Sequence, residues 1–136
     1  MENLTRTLMK ELAQRTYLAE KENREIAPIT DEYPDITLEQ AYEMQCLREE
    51  LMVADGHRVI GGKMGLTSLA KMKQMGLSKS TYGRLFDYML LDPEDDLEID
   101  ACIHPRVESE IAFILRDELK GPYVTSAEVM HATEYI

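Results

Sequence analysis

A chain of 136 residues with 15 Lys plus Arg against 26 Asp plus Glu carries a formal charge of −11 at neutral pH, and its length suits one domain. The charge repels phosphate backbones, and the basic residues are scattered rather than gathered into a patch with interleaved aromatics, which excludes nucleic acid as the expected partner. An anionic substrate needs a local cation. Hydrophobic residues at 44% and charged residues at 30% are ordinary globular proportions, and no apolar run approaches the roughly 20 residues of a membrane span. The N-terminal residues mix charged and apolar side chains instead of placing a basic end before an apolar block and a cleavage site, so a cytoplasmic location is expected. Cys46 and Cys102 form neither a disulfide framework nor a CxxC metal site and are expected to be plain thiols.

From Leu4 to Leu18, the residues Leu4, Leu8, Leu12, Ala13 and Leu18 recur at helical spacing with charges between them, which predicts an amphipathic helix. Residues 23–34 carry Pro28 and Pro34 and read as a loop or lid, because proline disfavours helix in itself and in the residue before it. Thr37 and Gln40 form a capping box that opens a second helix, ending near Asp55 and Gly56. Next comes a run from Arg58 to Thr67 that mixes β-branched residues with Gly61, Gly62 and Gly65. This predicts a strand that meets another backbone or a ligand closely. Ser68 is placed to cap a short helix through Met75, with Gly76 as a left-handed stop.

Tyr82 to Leu91 reads as a turn plus an extended segment, and the acidic stretch Asp92–Asp96 as a solvated loop. Arg106 to Leu115 alternates as a largely buried strand, with Glu108 and Glu110 on one side of it. A Gly121-Pro122 turn follows, and Thr125 with Glu128 opens a last helix whose pattern is still running at Ile136.

Three residues in these segments invite chemistry. Glu108 and Glu110 bring like charges together, and either a divalent cation offsets the repulsion or the pair lies on the wet face of an edge strand. Lys63, flanked by glycines, either approaches a ligand and neutralises a carboxylate or enolate, or is a surface lysine on a glycine-rich hairpin. The segment lacks P-loop spacing. His104, before Pro105, is either a turn residue bonded to backbone or a ligand or acid–base group, while His57 and His131 receive no role. No Ser or Cys nucleophile is identifiable with its base.

The residues Gly62-Lys63-Met64-Gly65-Leu66-Thr67-Ser68, then Lys71-Met72 and Gln74-Met75-Gly76, then Tyr82-Gly83, then Ile103 through Phe113 with its Glu108-Ser109-Glu110-Ile111-Ala112-Phe113 core, occur in a telling order. In this order the chain resembles the fumarylacetoacetate hydrolase superfamily, in its branch of 4-oxalocrotonate decarboxylases and 2-hydroxypenta-2,4-dienoate hydratases, with the decarboxylases the nearer likeness. The resemblance implies an α+β fold in which N-terminal helices pack on part of a mixed β-roll. Residues 1–56 would form a helical region with a lid loop and residues 57–136 the first part of the catalytic domain.

It also implies a Mg²⁺ or Mn²⁺ enzyme acting on small 2-oxo acids from aromatic meta-cleavage catabolism. Glu108 and Glu110 would be metal ligands, Lys63 catalytic and substrate-binding, and Thr67 and Ser68 donors to the substrate carboxylate, with Ser68 otherwise a helix cap. Family members run further and place a third metal-ligating Glu beyond the last helix, so the chain is expected to be an N-terminal part. Its expected partners are further copies, a sibling hydratase or a C-terminal piece, with no nucleic acid and no membrane.

Overall fold

The computed structural model describes residues 4–136, which divide into two compact units, the first ending at His104 and the second running from Pro105 to Ile136.

In the first unit, helix α1 (Arg6–Lys21) starts at Thr5, whose hydroxyl accepts from the Leu8 N–H at 3.2 Å. It ends where Asn23 enters the left-handed region at φ 48°, with the Arg24 N–H reaching back to the Ala19 carbonyl at 2.9 Å. Asn tolerates that conformation because its short polar side chain bonds locally. Helix α3 (Leu38–Ala54) carries the expected capping box between Thr37 and Gln40, worth about 1 kcal/mol in such positions. It stops at Gly56, φ 99°, with the His57 N–H on the Met52 carbonyl at 3.1 Å.

The two long helices pack through Met9, Leu12 and Ala13 on α1 and Met44 and Leu47 on α3, residues spaced three and four apart and buried. Full burial of a leucine such as Leu12 contributes roughly 1.5–3 kcal/mol, and Ala13, with no exposed surface, lets the backbones approach.

The proline-bearing segment is not all loop. Pro28 stands at the N-cap of a short helix α2 (Ile29–Glu32), where its missing N–H is no loss, and Ile29 and Tyr33 pack on the α1–α3 core. Arg15 holds the segment further, pairing with Glu32 at 2.6 Å and donating to the Ala27 carbonyl at 3.3 Å.

The glycine-rich strand is as expected. Strand β1 (Val59–Gly65) pairs antiparallel with β2 (Thr81–Phe86), with a bulge between Val59 and Gly61. Helix α4 (Leu69–Gln74) lies in the connection and ends at Gly76, φ 68°. Close approach is real at Gly65, where a Cβ would fall 2.7 Å from the Thr81 hydroxyl oxygen. Alternate residues of β2 face α3: Tyr82 stacks on Tyr42, Arg84 pairs with Glu49 at 3.0 Å, and Arg48 lies over the fully buried Phe86. Tyr42 and Glu49 are two helical turns apart, which is why a strand of period two can meet one helix face.

In the second unit, the expected strand over Arg106–Leu115 shrinks to β3 (Ile114–Leu115), paired with β4 (Thr133–Tyr135). Residues 105–113 carry neither helix nor ladder, and Val107 and Ile111 are exposed rather than buried. Alternation supplies a face, but a strand also needs a neighbour to bond its backbone, and none of that length is present among the described residues. Helix α5 (Ser126–Ala132) has the expected Thr125–Glu128 capping box. It does not run on to Ile136: Thr133 turns extended and its hydroxyl donates to the Val129 carbonyl at 2.6 Å, an alternative to the helical ladder that β-branched Thr favours.

Candidate functional site

Lys63 stands in β1 directly across the ladder from Gly83, which adds no side chain beside it. Gly62 and Gly65 flank it within the strand, and the lysine is exposed. Two residues past the strand end, Thr67 and Ser68 lead into α4, both exposed. Between them and Gly65, Leu66 adopts φ 55°. A branched residue in the left-handed region costs on the order of 1–3 kcal/mol, and it redirects the chain from the strand toward α4. Ser68 occupies the N-cap position as expected, but its hydroxyl makes no capping hydrogen bond.

Glu108 and Glu110 belong to the second unit, in the stretch 105–113, and both are exposed. Their donor chemistry suits a hard divalent cation in kind, since two carboxylates with water complete a common magnesium shell. In number the set is short: among the described residues no group of three or more His, Cys, Asp and Glu is placed to hold a metal ion. The described residues therefore supply at most part of a coordination sphere. The acidic stretch Asp92–Asp96 forms an exposed turn, with the Asp95 N–H on the Asp92 carbonyl at 2.9 Å.

Other polar side chains of the first unit form networks that sequence spacing did not indicate. Glu20 on α1 accepts from Arg48 on α3 and from the Tyr88 hydroxyl, tying both helices to the second residue after β2. Burial first, and the Glu20 carboxylate second, push the Tyr88 phenol up to about 12. At the hairpin base, Asp87 is approached by His57 at 3.4 Å and Arg58 at 3.5 Å. A backbone hydrogen bond from Arg58, followed by those of Tyr88 and His57, holds its carboxyl below the usual range. Lys21 and Tyr17 converge on Asp55, each at 2.6 Å, and lower that carboxyl in the same order.

Among the described residues the His104 ring meets a side chain and not backbone. It sits at φ 50° and its Nε2 meets Glu25 across an open groove of about 590 Å³, lined also by Thr16, Ala19 and Asn23. The sequence separations in these networks, from 28 to 79 residues, lie beyond any local motif. Cys46 and Cys102 are free, as expected. No helix among the described residues is long and apolar enough to cross a membrane.

The mixture of helices and strands, with an exposed glycine-flanked lysine and an acidic pair, defines an α+β chain, and comparison with known proteins gives it relatives. No protein-family profile matches it. It is similar to the 4-oxalocrotonate decarboxylase of Pseudomonas sp. (strain CF600), 38% identical over 133 residues, which are 98% of this chain and 50% of that protein. It is also similar to the 2-oxo-hept-4-ene-1,7-dioate hydratase of Escherichia coli, 40% identical over 125 residues, or 92% of this chain and 47% of that one. The 2-hydroxypent-2,4-dienoate hydratase of Pseudomonas putida is 38% identical over 134 residues, covering 98% and 60%.

Among solved structures, the 4-oxalocrotonate decarboxylase from Pseudomonas putida G7, complexed with magnesium and adipate, superposes with a TM-score of 0.91 at 34% identity, over 99% of this chain and 51% of that one. The chain is thus a homologue of decarboxylases and hydratases of short unsaturated oxo- and hydroxy-acids. Its relatives include proteins named 4-oxalocrotonate decarboxylase and 2-hydroxypent-2,4-dienoate hydratase, and it spans about half the length of the relatives it matches.

Proposed function

We propose that the chain contributes the lysine and the acidic pair of a divalent-metal-dependent decarboxylase, converting 4-oxalocrotonate to 2-hydroxypenta-2,4-dienoate and CO₂ in aromatic meta-cleavage catabolism. The observation that carries this reading is the TM-score of 0.91, at 34% identity, to a decarboxylase whose structure contains magnesium and adipate, a saturated dicarboxylate. In the reaction the bond to the distal carboxylate breaks, its electron pair runs through the conjugated chain to the 2-oxygen, and that oxygen takes up a proton.

Glu108 and Glu110 would hold Mg²⁺ or Mn²⁺, which when bound polarises the 2-oxo and 1-carboxylate oxygens. The Lys63 ammonium offsets the charge that grows on the 2-oxygen as CO₂ leaves. Thr67 and Ser68 donate to the substrate carboxylate, a role consistent with a Ser68 hydroxyl not used in capping. The segment around Pro28 and Ile29 excludes water, which would otherwise hydrate the dienol. In this reading the strands form part of a mixed β-roll. The partners are a small 2-oxo acid and either further copies, the sibling hydratase or a C-terminal chain.

A second reading has its own support: the Escherichia coli hydratase is 40% identical over 92% of this chain. Product analysis separates the two. The 136-residue chain, given Mg²⁺ and 4-oxalocrotonate, is expected to release CO₂. Given 2-hydroxypenta-2,4-dienoate in a parallel assay, loss of its absorbance, with no CO₂ released from 4-oxalocrotonate, identifies a hydratase. Neither change, with the chain folded, leaves a non-catalytic subunit that complements a C-terminal chain.

A further inference from the structure

Between Asp55 and Asp87 the chain contains no acidic residue, although it holds six basic ones: Arg58, Lys63, Lys71, Lys73, Lys79 and Arg84. All 26 acidic residues lie outside that run, so a chain of net charge −11 carries one wholly cationic stretch. The stretch coincides with a structural element, the β1–α4–β2 hairpin that bears Lys63. Arg84 is engaged with Glu49 at 3.0 Å and Arg58 with Asp87 at 3.5 Å. Lys71, Lys73 and Lys79 are exposed and have no ion-pair partner among the described residues. Lys71 and Lys73 are two positions apart on α4 and therefore point about 200° apart around its axis, so they do not grip one ligand between them. What they share is a field.

We propose that Lys71, Lys73 and Lys79 are positioning residues that gather a small dicarboxylate onto the hairpin and raise its concentration around Lys63. The proposal rests on the dicarboxylate reading of the site given above. A dianion approaching a chain of this net charge is repelled at long range, and a local run of cations with no carboxylate of its own, three of them without an ion-pair partner among the described residues, offsets that repulsion where the chemistry needs it. Three unit charges taken at ~10 Å from a dianion in water change its local concentration by about 20-fold at 0.01 M salt and about threefold at 0.15 M. That dependence on ionic strength is the signature of attraction over a distance comparable with the screening length.

The test is adipate binding to the full 136-residue chain, followed by NMR titration at 0.01 M and 0.15 M NaCl. The wild type is compared with Lys71→Gln/Lys73→Gln/Lys79→Gln and with the charge-preserving Lys71→Arg/Lys73→Arg/Lys79→Arg, circular dichroism confirming that each is folded. The Gln variant is expected to bind about 20-fold more weakly at low salt and about threefold more weakly at high salt, and the Arg variant to match the wild type. Equal affinities for wild type and Gln variant at both salts, absence of salt-dependent adipate binding by the wild type, or tighter binding of a single-stranded oligonucleotide than of adipate would each overturn the proposal. Salt-dependent binding without turnover of 4-oxalocrotonate would remove the decarboxylase reading and leave the collecting surface standing; turnover with lysine-independent binding would do the reverse.

Discussion

The Tyr42 ring lies flat on the Tyr82 ring, with centroids 4.4 Å apart and planes within 9°, while the Tyr42 hydroxyl accepts the Tyr82 backbone N–H at 3.2 Å. One side chain thus fixes both the face and the register of the hairpin against α3, near the end of β2 that pairs with Gly65 and Met64. Tyr42→Phe keeps the stack and loses the hydrogen bond, and is expected to destabilise by about 0.5–1.5 kcal/mol. Tyr42→Ala loses both and is expected to cost roughly 1–3 kcal/mol. Urea unfolding of the two variants checks the order. Equal losses would mean that the ring contributes nothing beyond its hydroxyl.

Tyr88 gives the fold a pH dependence of definite sign. Its phenol is raised from 10.0 to about 12, with burial the larger cause and the Glu20 carboxylate the next. A group whose pKa is higher when folded favours the folded state while protonated. The contribution is therefore complete below pH 10 and is lost as the pH rises toward 12. Tyr88→Phe is expected to flatten this part of the stability curve and to remove a late absorbance step at the phenolate wavelength. Glu20→Gln is expected to move that step downward only partway, since burial persists. A phenolate step unaltered by Tyr88→Phe would contradict the assignment.

These two contacts also show why the sequence was informative in some places and silent in others. The helix ends were readable because their signals are local: Gly56 and Gly76 take the left-handed conformation a stop requires, and Thr37 and Thr125 each find their capping partner three residues on. The β1 strand was readable from β-branched residues and glycines. The stretch 106–113 was not, because its alternation says nothing about whether another strand lies beside it. Glu20, Arg48 and Tyr88 meet across separations of 28 and 68 residues, which only the packing of α1 on α3 and the return of β2 bring together. Of the candidate site, the position of Lys63 on a strand, with Thr67 and Ser68 after it, was legible. The cationic hairpin is not legible as a cluster of basic residues, because its signal is a run that lacks acids.

Gly65 tests whether the close approach inferred from the glycines is structural. A Cβ there would meet the Thr81 hydroxyl oxygen at 2.7 Å, inside any tolerable contact. Gly65→Ala is expected to destabilise by about 1–3 kcal/mol, the range for overpacking. The Gly65→Ala/Thr81→Ala double variant removes the obstructing atom and should recover most of the loss, so the two changes are expected to be non-additive. Additive losses in a thermal unfolding cycle would show that Thr81 is not what the glycine makes room for.

The acidic pair and the lysine carry different parts of the proposed chemistry, and separate measurements resolve them. If Glu108 and Glu110 hold the ion, Glu108→Gln or Glu110→Gln weakens Mg²⁺ binding, read by calorimetry, and abolishes metal-dependent turnover while the far-ultraviolet spectrum stays unchanged. Both side chains are exposed, so loss of a carboxylate there leaves the packing intact and the fold is expected to survive. Lys63→Ala, by contrast, is expected to leave Mg²⁺ affinity within about twofold and to lower turnover by a factor of about 10²–10³, the loss typical for removing one electrostatic stabiliser of developing charge. Unchanged metal affinity in both Gln variants would return the two glutamates to a solvated surface. Full turnover in Lys63→Ala would take the lysine out of the mechanism while leaving the metal site intact.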